Sequence, residues 1–494
     1  MGNSSSTDEA SPLHTSDYSK IEGTKHIKDA RDIKTDITVF GATGFVARRV
    51  LDYLIASTAA HDTNEGPEGS SAVVEDDTDY EAVRLVTKAD RPAKTDIRQA
   101  SSIEPLRVTL AGRNESKLRH VLEQITALPT YSSKSVQIDI FVADSNDPRA
   151  LDAMASSTYV VLNCAGPFAR HGTNVVGACA SNGCDYVDIT GEVSWAGAMR
   201  ERFGHLSAKS GSRIISFCGT DSVPSDLSVF AAVRALRQSR SKKTDESSAD
   251  PVQIFQAKTW HAAFGLANGG TLHTALNIPI DISSMLFNNE TRKIRKVPYL
   301  MDHPFALSHP SVRDDPSYDS WRDAAALTEW KNQLITLDTE LSSEGVTASA
   351  PFFMAVVNAK VVHASAISLK YSSLDQKDDN SNAFTYWERF VPTGFRFNHY
   401  INLCSIIPTL SYSMALAAFT VVLKAPFIGS KLAEIIMPPG RGIPDWINER
   451  GYLEVYAEVK SHASASSGRS TGLIDKGTCH LKFEGDPGKS IRVL

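Results

Sequence analysis

Apolar and polar positions follow one rhythm in the first half of the chain and another in the second. Near the start, "DITVF" is a short apolar run, and behind it Phe45, Val46, Val50, Leu51 and Leu54 recur at the spacing of one helix face. The same pairing returns in "LRVTLAGRNESKLRHVLEQI", where a strand ends at Ala111 and a helix is capped at Asn114 or Ser116. It continues through "VQIDIFVADSNDPRALDAMA", "TYVVLNCAGPF", "GTNVVGACASNGCDYVDITGE" and "GSRIISFCGTDSVPSDL". Repeated strand–helix units predict a parallel sheet covered by helices, and each run ends in Gly, Asp, Asn or Pro, where such sheets place their ligands.

Past Asp226 the alternation changes. "DPVQIFQAKTWHAAF" reads as a strand leading to "NGGTLHTALN", where Gly269, Gly270 and Thr271 start a helix. "GYLEVYAEVKSH" and "GLIDKGTCHLKFEGD" alternate with period two on either side of a Ser-rich loop, as two strands do. The expected architecture is α/β: a dinucleotide-binding domain over residues 35–226, then an α+β domain with a mixed sheet over 227–494 for substrate or oligomerisation. Residues 1–34 read as a disordered leader, and about 60–104, with "HDTNEGPEGSS" and "EDDTDYE", as a surface insertion. Ile401–Leu423 contains no charged residue. Its length suits a bilayer crossing, but Asn402, Pro408 and its Ser and Thr residues equally suit a buried or membrane-surface helix, with Arg396, Lys424 and Lys431 as flanking charges.

Composition narrows the function. A chain of 494 residues exceeds what one core holds, and a net charge of -6 with 22% charged residues gives no field for nucleic acid. The six cysteines are scattered without a C-x-x-C pair, as in a reducing compartment. No H-E-x-x-H or G-x-S-x-G occurs, so neither a zinc protease nor a serine hydrolase is expected, and no residue is assigned to a metal. The opening "MGNSSS" fits N-myristoylation at Gly2, a match that an unmodified tail produces equally well.

The candidate chemistry starts at "VFGATGFVARRV". Gly41, Gly44 and Ala47 form G-x-x-G-x-x-A between a strand and a helix, so the turn Gly41, Ala42, Thr43, Gly44 and Phe45 can bring backbone N–H groups to a pyrophosphate. At the end of the second strand Arg113 stands with Lys117 a turn later, which suits a 2′-phosphate and makes NADP(H) the expected cofactor. "AVRLVTKAD" would instead offer Asp90 and NAD, but "RPAKTD" allows no helix after it. Asp144 ends the third strand as an adenine contact or a helix cap, and Asn163, Gly166 and Pro167 let a cofactor pass close to the fourth. Asp188, Glu192, Asp221, Ser222 and Asp226 follow at the last two strand ends. Glu192 and Asp221 are the candidate proton partners there, with capping or a loop salt bridge as the alternative. Cys218 is a possible nucleophile without a local partner. Tyr456 and Lys460 spell Y-x-x-x-K, but on a strand they stand about 13 Å apart and cannot act together.

Taken in order, "VFGATGFVARRV", "LAGRNESKL", "NCAGPFARHGTNVVGACASNGCDYVDITGE", "CGTDSVPSDL", "GGTLHTALN", "PFFMAVVNAKVVHAS" and "PGRGIPDWINERGYLEV" resemble the saccharopine dehydrogenase-like oxidoreductases, a group with the trans-acting enoyl reductases of glycolipid synthesis. The resemblance runs from Ile37 to about Gly488. It implies an NADP-type Rossmann domain and a second α+β domain. It also implies redox chemistry on a hydrophobic, lipid-linked or imine-like substrate, in a family often found with membranes or lipid droplets; the cytoplasmic face of such a surface and a homodimer are further expectations. Carried over by motif, the cofactor positions are Gly41, Thr43, Gly44, Phe45, Arg113, Asn163, Gly166 and Pro167. His171 and Thr220 stand where family members usually have Tyr and Phe, and relatives add a helix after the Asp486-Pro487-Gly488 stretch. The rival expectation is a non-catalytic NADP(H)-binding sensor or structural protein at the same lipid surface.

Overall fold

The structure is a computed structural model that describes residues 33–62, 105–220, 222–243, 252–264, 305–308, 335–338, 347–371, 384–392, 403–424, 431, 450–462 and 474–484. Gly2, most of the predicted leader and insertion, Asp221, and "NGGTLHTALN" lie outside these residues, as do "PGRGIPDWINE" and the end of the chain from 485.

The first half forms strands β1 (Thr35–Phe40), β2 (Leu106–Gly112), β3 (Val136–Val142), β4 (Thr158–Asn163), β5 (Asp185–Asp188) and β6 (Ile214–Ile215). Between them run helices α1 (Phe45–Asp62), α2 (Glu115–Thr126), α3 (Pro148–Ser156), α4 (Phe168–His171), α5 (Thr173–Asn182) and α6 (Val193–Ser210). The six strands pair in parallel in the order β3-β2-β1-β4-β5-β6, which is the Rossmann order. Direction of travel across the sheet reverses between β1 and β4, and the crevice above that reversal is where dinucleotides bind.

Local sequence accounts for these elements. Asn114 accepts a hydrogen bond from Lys117 N at 3.0 Å, so it caps α2, which then buries Leu118, Val121 and Ile125 along one stripe. Asp147 caps α3 through the N–H groups of Arg149 and Ala150, with Pro148 at the first helical position. Gly183 (φ 66°) and Gly211 (φ 80°) end α5 and α6 in the left-handed conformation. One face of the sheet packs Val39, Val108 and Leu110 against Leu51, Ile55, Leu118 and Val121. The other packs Val161 and Tyr186 against Leu151, Val175, Met199 and Phe203. Each such large apolar side chain contributes about 1.5–3 kcal/mol on burial.

Helix α7 (Val223–Lys243) leaves this layer and lies across a second sheet. That sheet comprises β7 (Ile254–Phe264), β8 (Thr336–Asp338), β9 (Thr347–Pro351), β10 (Thr385–Phe390), β11 (Tyr452–His462) and β12 (Ile474–Glu484), ordered β12-β11-β7-β10-β9-β8. It is mixed: β7 and β10 run parallel, and the other neighbours antiparallel. Helix α8 (Ala355–Ser368) joins α7 over it, and Val229, Val233, Val362 and Ala366 meet Tyr386, Val455, Val459 and Leu481 in a second core. Helix α9 (Leu403–Lys424) contains most of the uncharged segment and lies against β9.

Candidate cofactor and active site

The β1–α1 turn closes on itself. Gly41 N and Ala42 N donate to Ala111 O at 2.9 and 3.2 Å, and Gly44 N donates to Gly41 O at 2.9 Å. Gly41 has φ +78°, and a Cβ on it would lie 2.9 Å from the backbone N of Ala165. Its glycine is therefore demanded by the β4 end packed beneath it, a reason different from ligand approach. At Gly44 a Cβ would sit 3.2 Å from Gly41 O, a tight contact with the turn's own backbone, and would meet no other atom of the described residues within 4 Å. The first-turn N–H groups of an 18-residue helix follow it, and those of Phe45 and Val46 have no acceptor among the described residues. A bare, positive helix start beside a Cβ-free turn fits a pyrophosphate, with Thr43 exposed at its rim.

Phe40 pairs with Ala111 on one side and Asn163 on the other, so the turns after β1, β2 and β4 stand level. Arg113 on the turn after β2 and Lys117 in the first turn of α2 are exposed, and neither has an ion-pair partner among the described residues. Asp144 accepts from Asn146 N at 2.8 Å in the turn after β3. The cap of α3 is Asp147, so of the two readings of Asp144 the capping one does not hold.

The ends of β4, β5 and β6 are joined by a buried polar network that the sequence did not reveal. Asn163 accepts from Ala165 N at 2.9 Å and donates to Tyr186 Oη at 3.1 Å. Tyr186 in turn donates to Asp188 Oδ2 at 2.9 Å, as does Ser216 at 3.0 Å. Asp188 Oδ1 accepts from Thr190 N at 3.1 Å and from Phe217 N at 3.2 Å, where the chain takes φ 65° at a non-glycine residue. Burial pushes the Asp188 carboxyl up to about 6, and these four donors hold it back from rising further. Asn163 thus shapes the β4 end with its side chain turned inward, leaving Gly166 and Pro167 on the outer side of the turn.

Glu192 is committed as well. Its two carboxylate oxygens accept from Phe168 N at 2.8 Å and Ala169 N at 2.9 Å, so it fastens the turn after β5 to the start of α4. In this arrangement it acts on main-chain donors, and Asp221, the other candidate acid, lies outside the described residues. Cys218 lies in the turn after β6, where burial and then the charge of Asp188 push its thiol up to about 11, away from nucleophilic use at neutral pH. Tyr456 and Lys460 lie on β11 as predicted; Tyr456 packs on Trp260 and Lys460 pairs with Glu458 at 3.2 Å.

A second buried network ties the start of α7 to the mixed sheet. Ser222 donates to Asn358 Oδ1 at 2.9 Å, and Asn358 Nδ2, Ser225 Oγ and His261 Nε2 lie 3.0, 2.6 and 2.7 Å from one oxygen of Glu388. His261 and the Glu388 side chain are fully buried, so the serine, histidine and glutamate are closed to substrate and serve to anchor the turn beyond β6.

Residues 91–213 match the saccharopine dehydrogenase NADP-binding domain, a range that holds β2 to β5 and their helices and leaves the glycine turn outside. A putative trans-acting enoyl reductase of Mycobacterium tuberculosis is 30% identical over 397 residues, covering 78% of this chain and 80% of that protein. A probable mitochondrial saccharopine dehydrogenase-like oxidoreductase of Arabidopsis thaliana is 42% identical over 133 residues, 27% of this chain and 29% of that protein. A lipid droplet localized protein of Caenorhabditis elegans is 31% identical over 195 residues, 39% of this chain and 35% of that protein. With the Rossmann strand order, the bare glycine turn and a relative matched over most of both lengths, the chain belongs to the saccharopine dehydrogenase-like oxidoreductases and carries their nicotinamide-cofactor domain.

Proposed function

We propose that the protein is an NADP(H)-dependent oxidoreductase acting on a hydrophobic, lipid-linked substrate at the surface of a membrane or lipid droplet. The observation that carries the cofactor choice is the turn after β2. Arg113 and Lys117 stand there without acidic partners, level with the glycine turn, where a 2′-phosphate would arrive. Gly41 to Phe45 would hold the pyrophosphate, Asp144 the adenine side, and Gly166 and Pro167 the passage toward the ends of β5 and β6. When bound, the nicotinamide supplies or accepts a hydride, here at a C=C or C=N bond. Around it, the Asp188 network and the Glu388 network hold the turn after β6 in place from two sides, and Glu192 holds α4. Asp221 is the remaining candidate for the substrate proton.

The lipid surface is supported by α9. Its Thr409 and Ser413 face inward, while Ile407 and Met414 (each 62% exposed), Leu410 (41%) and Phe419 (42%) face outward. A face that presents four large apolar side chains outward suits a helix lying in a lipid interface. Among the described residues no helix is long and apolar enough to cross a membrane, so a surface-lying helix is the alternative we adopt for Ile401–Leu423. The name of the worm relative agrees with this choice.

A second reading, a non-catalytic NADP(H) sensor, gains from Glu192 being spent on backbone donors. Both are tested by following NADPH oxidation by the purified full chain with lipid vesicles and a panel of enoyl and imine substrates. Turnover of at least one class supports the enzyme; tight NADPH binding with no turnover of either supports the sensor.

A further inference from the structure

Basic groups from two sides meet at one edge of the cofactor cleft. From the turn after β2 comes Arg113, with Lys117 in the first turn of α2 beyond it; from α4 come Arg170 and His171. The two sides are built to meet. Ala143 N donates to Gly112 O at 3.0 Å, which sets the β3–α3 turn beside Arg113. His171 Nδ1 lies 3.3 Å from Ser145 Oγ in that turn, and Asn174 on α5 donates to Ser145 O at 2.9 Å. Among the described residues Arg113, Lys117 and Arg170 have no ion-pair partner. His171 is half-buried, and its pKa is pushed below the ordinary histidine range by burial, then by Arg113 and Arg170, against a smaller opposing pull from Asp144. These are the charged groups that act on it; α5 presents the neutral Asn174. Arg113, Arg170 and His171 act on one another with only Asp144 opposing them, an arrangement that a dianion relieves.

We propose that Arg170 and His171 are specificity-determining residues, forming with Arg113 and Lys117 a two-sided clamp for a phosphomonoester, the 2′-phosphate of the dinucleotide. The inference rests on the cofactor reading above and adds the α4 side to it. A phosphate dianion beside His171 favours the imidazolium, so its pKa rises on binding and a proton is taken up. The sign follows: the His171 contribution to affinity is full below its free-protein pKa, which lies under the ordinary value, and is lost as pH rises through the higher value of the complex. The phosphate's own ionisation runs the other way, and comparison of wild type with a non-titrating variant at each pH removes it.

The test is titration calorimetry of the full chain with NADPH, NADH, 2′,5′-ADP and inorganic phosphate at pH 6 and 8, in two buffers of different ionisation enthalpy. Arg170→Ala, an exposed position, is expected to weaken NADPH and 2′,5′-ADP about tenfold and leave NADH unchanged. His171→Gln, which keeps a hydrogen-bonding group for Ser145, is expected to abolish the extra proton taken up with NADPH. Wild-type NADPH-to-NADH affinity ratios in both variants would overturn the clamp, as would equal weakening of NADH. Inorganic phosphate that binds as tightly as 2′,5′-ADP would also overturn it, in favour of a free-phosphate site. A wild type that binds NADH as tightly as NADPH would instead remove the cofactor reading beneath it.

Discussion

Asp226, in the first turn of α7, has one carboxylate oxygen 2.8 Å from Ser365 Oγ and the other buried without a partner. Burial pushes its pKa up to about 6 from 3.8, opposed by the one hydroxyl. A carboxyl raised on folding binds more protons in the native state, so its favourable contribution is present below the unfolded pKa and is lost as pH climbs through about 6. Asp226→Asn should therefore gain on wild type by about 2 kcal/mol between pH 4 and pH 7, read as the change in their difference in urea unfolding free energy. A difference that stays flat with pH would show that Asp226 is not held protonated. Residue types at strand ends were legible in the sequence, but their duties were not. Glu192 and Asp188 looked alike as acids after a strand, and only folding shows one fastening α4 and the other collecting four donors. Gly41 must be glycine for a reason that needs Ala165 in view, more than a hundred residues away.

At the scale of elements, periodicity carried far. Strand–helix spacing located β1 to β5, period-two alternation located β11 and β12, and the same alternation excluded a cooperating Tyr456 and Lys460. It overestimated β6, which keeps only Ile214 and Ile215 in the ladder because the chain turns away to deliver Ser216 and Phe217 to Asp188. Helix α4 was not predicted: "FARH" has no periodicity, and what holds it is Glu192, contributed from 24 residues on. Uncharged sequence alone also left open how α9 lies; burial of Thr409 and Ser413 chooses between its faces. If the outward face seats on lipid, Ile407→Glu with Met414→Glu should lower partition onto phosphatidylcholine vesicles on the order of tenfold, with unfolding temperature unchanged. Undiminished flotation of the double variant with vesicles would remove α9 as the lipid-facing surface.

For the whole molecule, the two sheets meet through the turn between β6 and α7. Asp188 reaches its near side and the Asn358–Glu388 network its far side, so one short segment is gripped by both halves. Core residues Ala306, Met354 and Val357 extend the first layer's packing in the same direction. This arrangement depends on pairings such as Ser222 with Asn358 that no local pattern announces. The proposed dinucleotide lies across the β1–β4 reversal with its phosphates read by the residues named. A crystal structure of the protein with NADP(H) bound measures this most directly. The pyrophosphate should lie within hydrogen-bond reach of the Phe45 and Val46 N–H groups, with the 2′-phosphate between Arg113 and Arg170 and the nicotinamide beyond the ends of β5 and β6. A dinucleotide bound elsewhere, or a 2′-phosphate pointing into solvent away from Arg113, would contradict it.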